Sequence, residues 1–270
     1  MKWLSKSYVG LVMTFLYAPI LVLIVFSFNQ SKSRGAWTGF TLGWYQKLFT
    51  NELIIHALVN TLIIAVISSL VATLLGTMAA IGISNMNRWM RGVVMNITYM
   101  PVINPEIVTG VSLMLLFVSL KTFGMKFDFG FPTLILAHIT FNVPYVILNV
   151  LPKIRQMDHS LYEAAQDLGC NPFQAFYKVV IPEIMPGIIS GFLMAFTYSL
   201  DDFIISYFVS GATSQTLPIV IFSMTRRKVS PEINALSSIM FVVVLTVLLI
   251  VNIHDARAER ENKAKARARI

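Results

Sequence analysis

Apolar residues run along this chain in long blocks, and polar residues gather in the gaps between them. Six blocks reach the roughly 20 residues needed to cross a hydrocarbon layer: about 8–28, 57–83, 93–118, 132–151, 184–209 and 233–252. The pattern predicts an all-α, polytopic membrane protein, a single transmembrane domain over residues 1–270 with six membrane helices. Ala72, Gly76 and Ala80 recur at every fourth position of one block, and Gly187, Gly191 and Ala195 of another. Small residues at that spacing let helix backbones approach closely, so a tight bundle is expected. Among the gaps, 29–56 carries Trp37, Trp44 and Tyr45, which suit an interfacial aromatic anchor. Segment 210–232 includes "LPIVIFSMTRRKVSPE", too short and too charged to span, which predicts a helix lying on the outer surface. The basic tail 253–270 reads as a solvated helical extension or as disorder.

Composition sharpens this picture. Of 270 residues, 56% are hydrophobic and 13% charged, and the mean hydropathy is +0.71, which excludes an ordinary soluble domain. The net charge of +8 would suit nucleic acid in a soluble chain. In a membrane protein it marks cytoplasmic loops instead, and no nucleic-acid partner is expected. With the N-terminus inside, 13 of the 21 Lys and Arg fall in inner segments and 8 in outer ones. That bias places both termini in the cytoplasm, although the tail supplies six of the thirteen. Lys2 and Lys6 precede an apolar run that continues to Phe28 without a small-residue cleavage site, which reads as an uncleaved first span. A single Cys excludes an intramolecular disulfide framework.

The longest inner gap, 152–182, encodes two short helices. Ser160 and Glu163 have the spacing of a capping box. Leu161, Ala164, Ala165 and Leu168 follow at helical spacing, and Gly169 suits the left-handed residue that ends a helix. Asn171 and Pro172 restart one as cap and first helical residue. Phe173, Phe176, Tyr177 and Val180 line one side of the second helix, and Pro182 and Pro186 bound the entry to the fifth block. Such a hairpin either lies on the inner leaflet or docks a cytoplasmic protein against the small pair Ala164–Ala165.

Carboxylates inside the apolar blocks carry the chemistry. "SLDDFIISYF" (199–208) places Asp201 and Asp202 in the fifth block. An Asp at a helix centre costs about 2.5–3.5 kcal/mol to insert. On a continuous helix Ala195, Ser199, Asp202 and Ser206 share a narrow arc, while Asp201 lies about 100° away beside Thr197 and Tyr198. In "MPVINPEIVTG" (100–110), Pro101 and Pro105 disturb the helix around Glu106. Broken backbone at membrane depth is tolerated where it lines protein or water, the usual place of substrate passage. Three acids without a Lys or Arg at that depth imply either a cationic passenger or protonated carboxyls. Both alternatives stay open for Asp201; cation contact is expected of Glu106 and Asp202. His138 and Asn142 read as interhelical hydrogen-bond partners. There is no H-E-x-x-H or G-x-S-x-G pattern, so neither catalytic residues nor a metal site are expected. No G-x-x-x-x-G-K-[ST] occurs either, so a P-loop for ATP is missing from this sequence.

Two resemblances extend these readings. "EAAQDLGCNPFQAFYKVVIPEIMPGI" (163–188) is similar to the EAA loop of ABC importer permeases, with Glu163, Ala164, Ala165, Gly169 and Pro182 among its landmarks. The likeness implies a MetI-like permease fold in which the 160–188 loop is the coupling helix that fits a groove in an ATPase subunit. "YSLDDFIISYFVSG", "LPIVIFSM", "VSPEINALSSI", "LAHITFNVPYVI" and "GWYQKLF" together resemble the PotC-type permeases of spermidine/putrescine ABC importers. That resemblance implies a permease in the bacterial inner membrane, paired with a second, PotB-like permease. It further implies a periplasmic polyamine-binding protein and an ATPase dimer, the partner that binds ATP and magnesium. The family's transport-sensitive positions fall on Trp44, Glu106, Glu163, Ser199, Asp201 and Asp202. Glu106 stands where Asp is more usual, and the Arg/Lys tail is not a shared motif. The rival readings are an importer permease for ferric iron, thiamine or a sugar, and a proton-coupled secondary transporter.

Overall fold

A computed structural model of the chain describes residues 2–31, 36–124, 128–158, 160–227, 231–243 and 245–246. Among the described residues the elements are helices, with one isolated antiparallel bridge between Asn29 and Phe40. They divide into two compact units, residues 1–55 with 221–270, and residues 56–220.

In the first unit, α1 (Lys2–Ser27) realises the first apolar block and leaves Tyr8, Phe15 and Leu21 exposed, as a lipid-facing helix would. After it the chain folds back at Asn29, whose side chain accepts from Thr38 N (3.0 Å) and donates to Ala36 O (2.8 Å). Phe28 stacks between Phe40 and Tyr45, at 5.4 and 5.3 Å between centroids. This anchors α2 (Gly43–Thr50). The sixth apolar block contributes the helix Pro231–Val243. Its predicted continuation from 247 to 252 and the tail 253–270 lie outside the described residues.

The second unit takes in most of α3 (Glu52–Ser84), together with α4 (Arg88–Ile103), α5 (Glu106–Thr122) and α6 (Phe131–Gln156). Next come α7 (Ser160–Asp167) and α8 (Pro172–Ala175), which passes through a π-helical turn, Phe176–Val180, into α9 (Ile181–Asp201). It closes with α10 (Ile204–Val209) and the start of α11 (Leu217–Arg227). Four described helices are long and apolar enough to cross a membrane, and a fifth span results if α4 and α5 are joined. The block 93–118, expected as one span with its helix disturbed around Glu106, is two helices bent by 103°. The block 184–209 is likewise divided, between α9 and α10.

Apolar packing falls into two clusters. One joins Ala80, Ile83, Val146, Val150, Ile154, Val180 and Ile184, at the ends of α3 and α6 and the start of α9. The other joins Ile64, Leu113, Phe117, Leu134, Ala137, Ile205 and Val209. Close approach is achieved with small residues as the spacing predicts: Ala72, Gly76 and Ala80 are all buried. A Cβ on Gly76 would stand 2.6 Å from that of Val146, so α3 and α6 touch there only because glycine has none. Along α6, His138 and Asn142 lie between the residues of the two clusters, and Ser68 on α3 and Ser199 on α9 do the same. A polar layer thus separates two dry ones.

Candidate functional site

The helices are broken at two places, and the second break adjoins this layer through His138. The first lies between α4 and α5. Pro101 is accommodated inside α4. Pro105 is not: it has no N–H to offer and forces the preceding residue out of the helical region. Asn104 accordingly sits at φ −68°, ψ 143°, with its N–H still bonded to Met100 O at 3.0 Å. Glu106 then opens α5, where a carboxylate complements the positive end of the helix dipole. It is exposed, and stands within electrostatic reach of Asp201 and Asp202.

The second break lies between Asp201 and Ile204 and contains no proline. Asp202, at φ −60°, ψ 119°, turns out of α9 and caps α10 with its carboxylate. One oxygen accepts from Ile205 N (3.2 Å), the other from Ser206 N and Ser206 Oγ (both 2.7 Å). His138 Nε2 lies 3.0 Å from Ser206 Oγ and 3.5 Å from the Asp202 carboxylate. Asp202 is only 9% exposed, whereas Asp201, one residue earlier, is exposed. The shared arc expected for Ala195, Ser199, Asp202 and Ser206 therefore does not arise from one continuous helix. The two breaks are held together at Gly110 of α5, where a Cβ would meet Phe208 at 2.9 Å and the Ile205 backbone at 3.4 Å.

Aromatic rings adjoin the acids. Tyr145 of α6 packs on Tyr198 of α9 with centroids 4.5 Å apart, and Tyr145 is within electrostatic reach of Glu106. Among the described residues no cation pairs with Glu106 or Asp201; the ion pairs are Lys121–Asp128 and His138–Asp202. Exposed carboxylates beside phenol rings form a surface suited to ammonium groups.

The other predicted residues are placed as follows. Ser199 is buried, bonded to Asn142 Nδ2 (2.7 Å) and Ser68 Oγ (3.1 Å), so it belongs to the polar layer and not to an open surface. His138 and Asn142 make the interhelical bonds expected of them. Trp44 belongs to the first unit, buried, with its indole N–H donated to Asn29 O at 2.7 Å and Lys47 Nζ 5.0 Å above its ring. In the hairpin, Glu163 and Ala164 are exposed, Ala165 is buried and Pro182 is exposed in the first turn of α9. Gly169 (φ +89°) ends α7 with its N–H on Gln166 O and that of Cys170 on Ala165 O, the paired bonds of a Schellman turn. Asn171 and Gln174 form a reciprocal capping box at α8. Ser160, expected as a cap, is instead the first residue of α7, and its N–H is accepted by Asp158. The apolar side of the hairpin splits: Phe176 and Val180 turn inward, while Leu168, Phe173 and Tyr177 are exposed.

Sequence reasoning missed Ser68 and Tyr145. Tyr145 could have been found, since it follows Phe141 by four residues on α6, and its ring continues a file from His138 through Phe141. Ser68 carries no local signal. A cleft of about 240 Å³ between α4 and α6, lined by Met95, Tyr99, Leu151 and Arg155 among others, contains no carboxylate and is separate from the acids.

Apolar helices packed through small residues, broken at carboxylates and linked by a helical hairpin, define a polytopic membrane transport protein. Residues 72–261 match the family described as binding-protein-dependent transport system inner membrane component, and the chain belongs to it. It is 42% identical over 251 residues to the putrescine transport system permease protein PotI of Escherichia coli (strain K12), covering 92% of this chain and 89% of that one. It is 35% identical to the spermidine/putrescine transport system permease protein PotC of Haemophilus influenzae, covering 92% and 95%. Its fold is similar to a chain of a bacterial alginate ABC transporter solved in complex with an alginate pentasaccharide-bound periplasmic protein. There the TM-score is 0.70 at 20% identity, with 92% of each chain covered.

Proposed function

We propose that this chain is the permease subunit of an ATP-driven importer of polyamines, with a putrescine-type diamine as its preferred passenger. The observation that carries the proposal is that Glu106 and Asp201, both exposed and without a cationic partner among the described residues, lie within electrostatic reach of each other, with Glu106 in reach of Tyr145 of the Tyr145–Tyr198 pair. A polyamine is a flexible chain of ammonium groups separated by methylenes. Spaced carboxylates hold the charges, and phenol faces add about 0.5–2 kcal/mol each by cation–π attraction. An anionic or neutral solute has no use for such a surface. The 42% identity to a putrescine permease, against 35% to a spermidine/putrescine permease, supports the diamine.

In this reading an ATPase dimer binds ATP and magnesium and drives the 160–188 hairpin through Glu163, Ala164, Ala165, Gly169 and Pro182. The motion passes along α9 to the second break, and a second permease chain completes the path. Both termini face the cytoplasm. Loops 29–56 and 210–232 each contribute contacts to a periplasmic polyamine-binding protein. Ser199 supports the wall of the path from within the polar layer. Reconstitution of the chain with candidate partner subunits in vesicles, followed by uptake of labelled putrescine, tests this. Uptake that needs ATP and the binding protein, and that unlabelled spermidine competes more weakly than putrescine, is the expected result. Uptake indifferent to both polyamines but blocked by iron, thiamine or a sugar would remove the substrate assignment. Uptake without the ATPase would point to proton coupling.

A further inference from the structure

We propose that Asp202 is a positioning residue, which with Ser206 and His138 fixes α10 at the second break, so that Asp201 and Glu106 alone meet the passenger; this deepens the polyamine reading and rests on it. An ionised carboxylate has about four lone-pair directions. Three are occupied by the Ile205 N–H, the Ser206 N–H and the Ser206 hydroxyl, and His138 stands 3.5 Å from the same oxygen that takes the two Ser206 donors. The Ser206 hydroxyl has one proton, which it gives to Asp202, so its oxygen accepts from His138 Nε2–H at 3.0 Å. The order of donation from α6 to α10 to Asp202 is thereby set. Ser206 and His138 are both fully buried and Asp202 nearly so. An ammonium group arriving at Asp202 would find one direction open, on the oxygen that takes the Ile205 N–H, in a side chain otherwise committed to α10 and only 9% exposed. Asp201 is exposed, and the hydrogen bond to its carboxyl comes from its own backbone and not from α10.

Two measurements separate this from a ligand role for Asp202. In the reconstituted transporter, Asp202→Asn and Ser206→Ala are each expected to lower Vmax for putrescine by roughly fivefold or more, with KM within about twofold of the parent. Combined, they should do no more than Asp202→Asn alone, because both break one network. Asp201→Asn should show the reverse split, a raised KM with Vmax near the parent's. If Asp202→Asn raised KM at unchanged Vmax, and Ser206→Ala changed neither, Asp202 would be a substrate ligand and the proposal would be overturned. The second measurement is independent of what the importer carries: hydrogen exchange of the 204–209 amides in the purified transporter. Exchange there should quicken in Ser206→Ala and in Asp202→Asn, and stay as in the parent in Asp201→Asn. Unchanged exchange in Ser206→Ala, which keeps the carboxylate and so guards against misfolding, would also overturn it. A transporter that ignored putrescine yet showed the quickened exchange would refute the substrate and leave the positioning role intact.

Discussion

The two helix breaks solve one problem by different means. At Asn104–Pro105 the chain is broken by covalent structure: a ring that fixes φ and removes an N–H, with the solvated Glu106 left free after it. At Asp202–Phe203 nothing covalent intervenes. The break is made by a side chain that satisfies the first amides of α10 and is itself buried among its own donors. A proline break leaves its acid available, while a capped break consumes one. Adjacent carboxylates, Asp201 and Asp202, thus come to differ more from each other than Asp201 does from Glu106, which is distant in sequence.

The largest effect is expected where the two breaks are held together. Gly110→Leu would drive a side chain into Phe208 and the Ile205 backbone. Overpacking of this kind costs about 1–3 kcal/mol, and here it would also part α5 from α10. Uptake should fall to less than roughly a tenth of the parent's, and the thermal midpoint of the purified protein should fall with it. A stable, active Gly110→Leu protein would mean that the breaks work independently.

Next in size are the free acids. Glu106→Gln and Asp201→Asn remove a charge from an exposed position, so stability should change by no more than about 0.5 kcal/mol. Each should raise KM for putrescine by roughly tenfold, corresponding to about 1.4 kcal/mol of lost attraction. Equal KM in both variants and the parent would show that the passenger is held elsewhere.

How far these features could be read from the chain follows from the same contrast. Pro105 announces its break locally, so disturbed backbone at Glu106 was legible, although the size of the bend was not. Gly169 and the Asn171–Gln174 box were legible for the same reason: their bonds close within a few residues. Asp202 was misplaced on the arc of a continuous helix because "SLDDFIISYF" has neither Pro nor Gly, and an Asp directly before an apolar run fits equally a helix interior or a cap. What decides between them is His138, far away in sequence on α6. Ser68 was invisible because a serine in an apolar helix usually bonds its own backbone, and its link to Ser199 spans 131 residues.

The comparison sharpens if the first break is mended. In Pro105→Ala the new N–H can reach Pro101 O, and Asn104 is no longer excluded from helical angles. Spin labels at Ile97→Cys and Leu115→Cys, both exposed positions, in a Cys170→Ser background would report the result. The distance between them should lengthen and its distribution broaden, with uptake reduced several-fold. An unchanged distance would mean that tertiary packing makes this bend, as side-chain bonding makes the other, and the contrast between a covalent and a built break would disappear.

The smallest effect belongs to an acid at neither break. Asp128 pairs with Lys121 at the far end of α5, with 2.6 Å between nitrogen and oxygen and both side chains well exposed. The Lys121 hydrogen bond, and after it the Lys121 charge, hold the Asp128 carboxyl below its ordinary value. A carboxyl so lowered contributes stability that is present above the unfolded value near pH 4 and is lost as pH falls through the folded one. Between about pH 5 and 8 the contribution is therefore constant, and water and salt screen it. Lys121→Ala should leave putrescine KM unchanged at neutral pH and shift the thermal midpoint by no more than roughly 1 °C, a difference that closes further below pH 4. If this exposed pair altered KM as much as Glu106→Gln, the passenger would be responding to the summed charge of the surface and not to contact with particular acids. The distinction between a free acid and a capping one would then lose its bearing on transport.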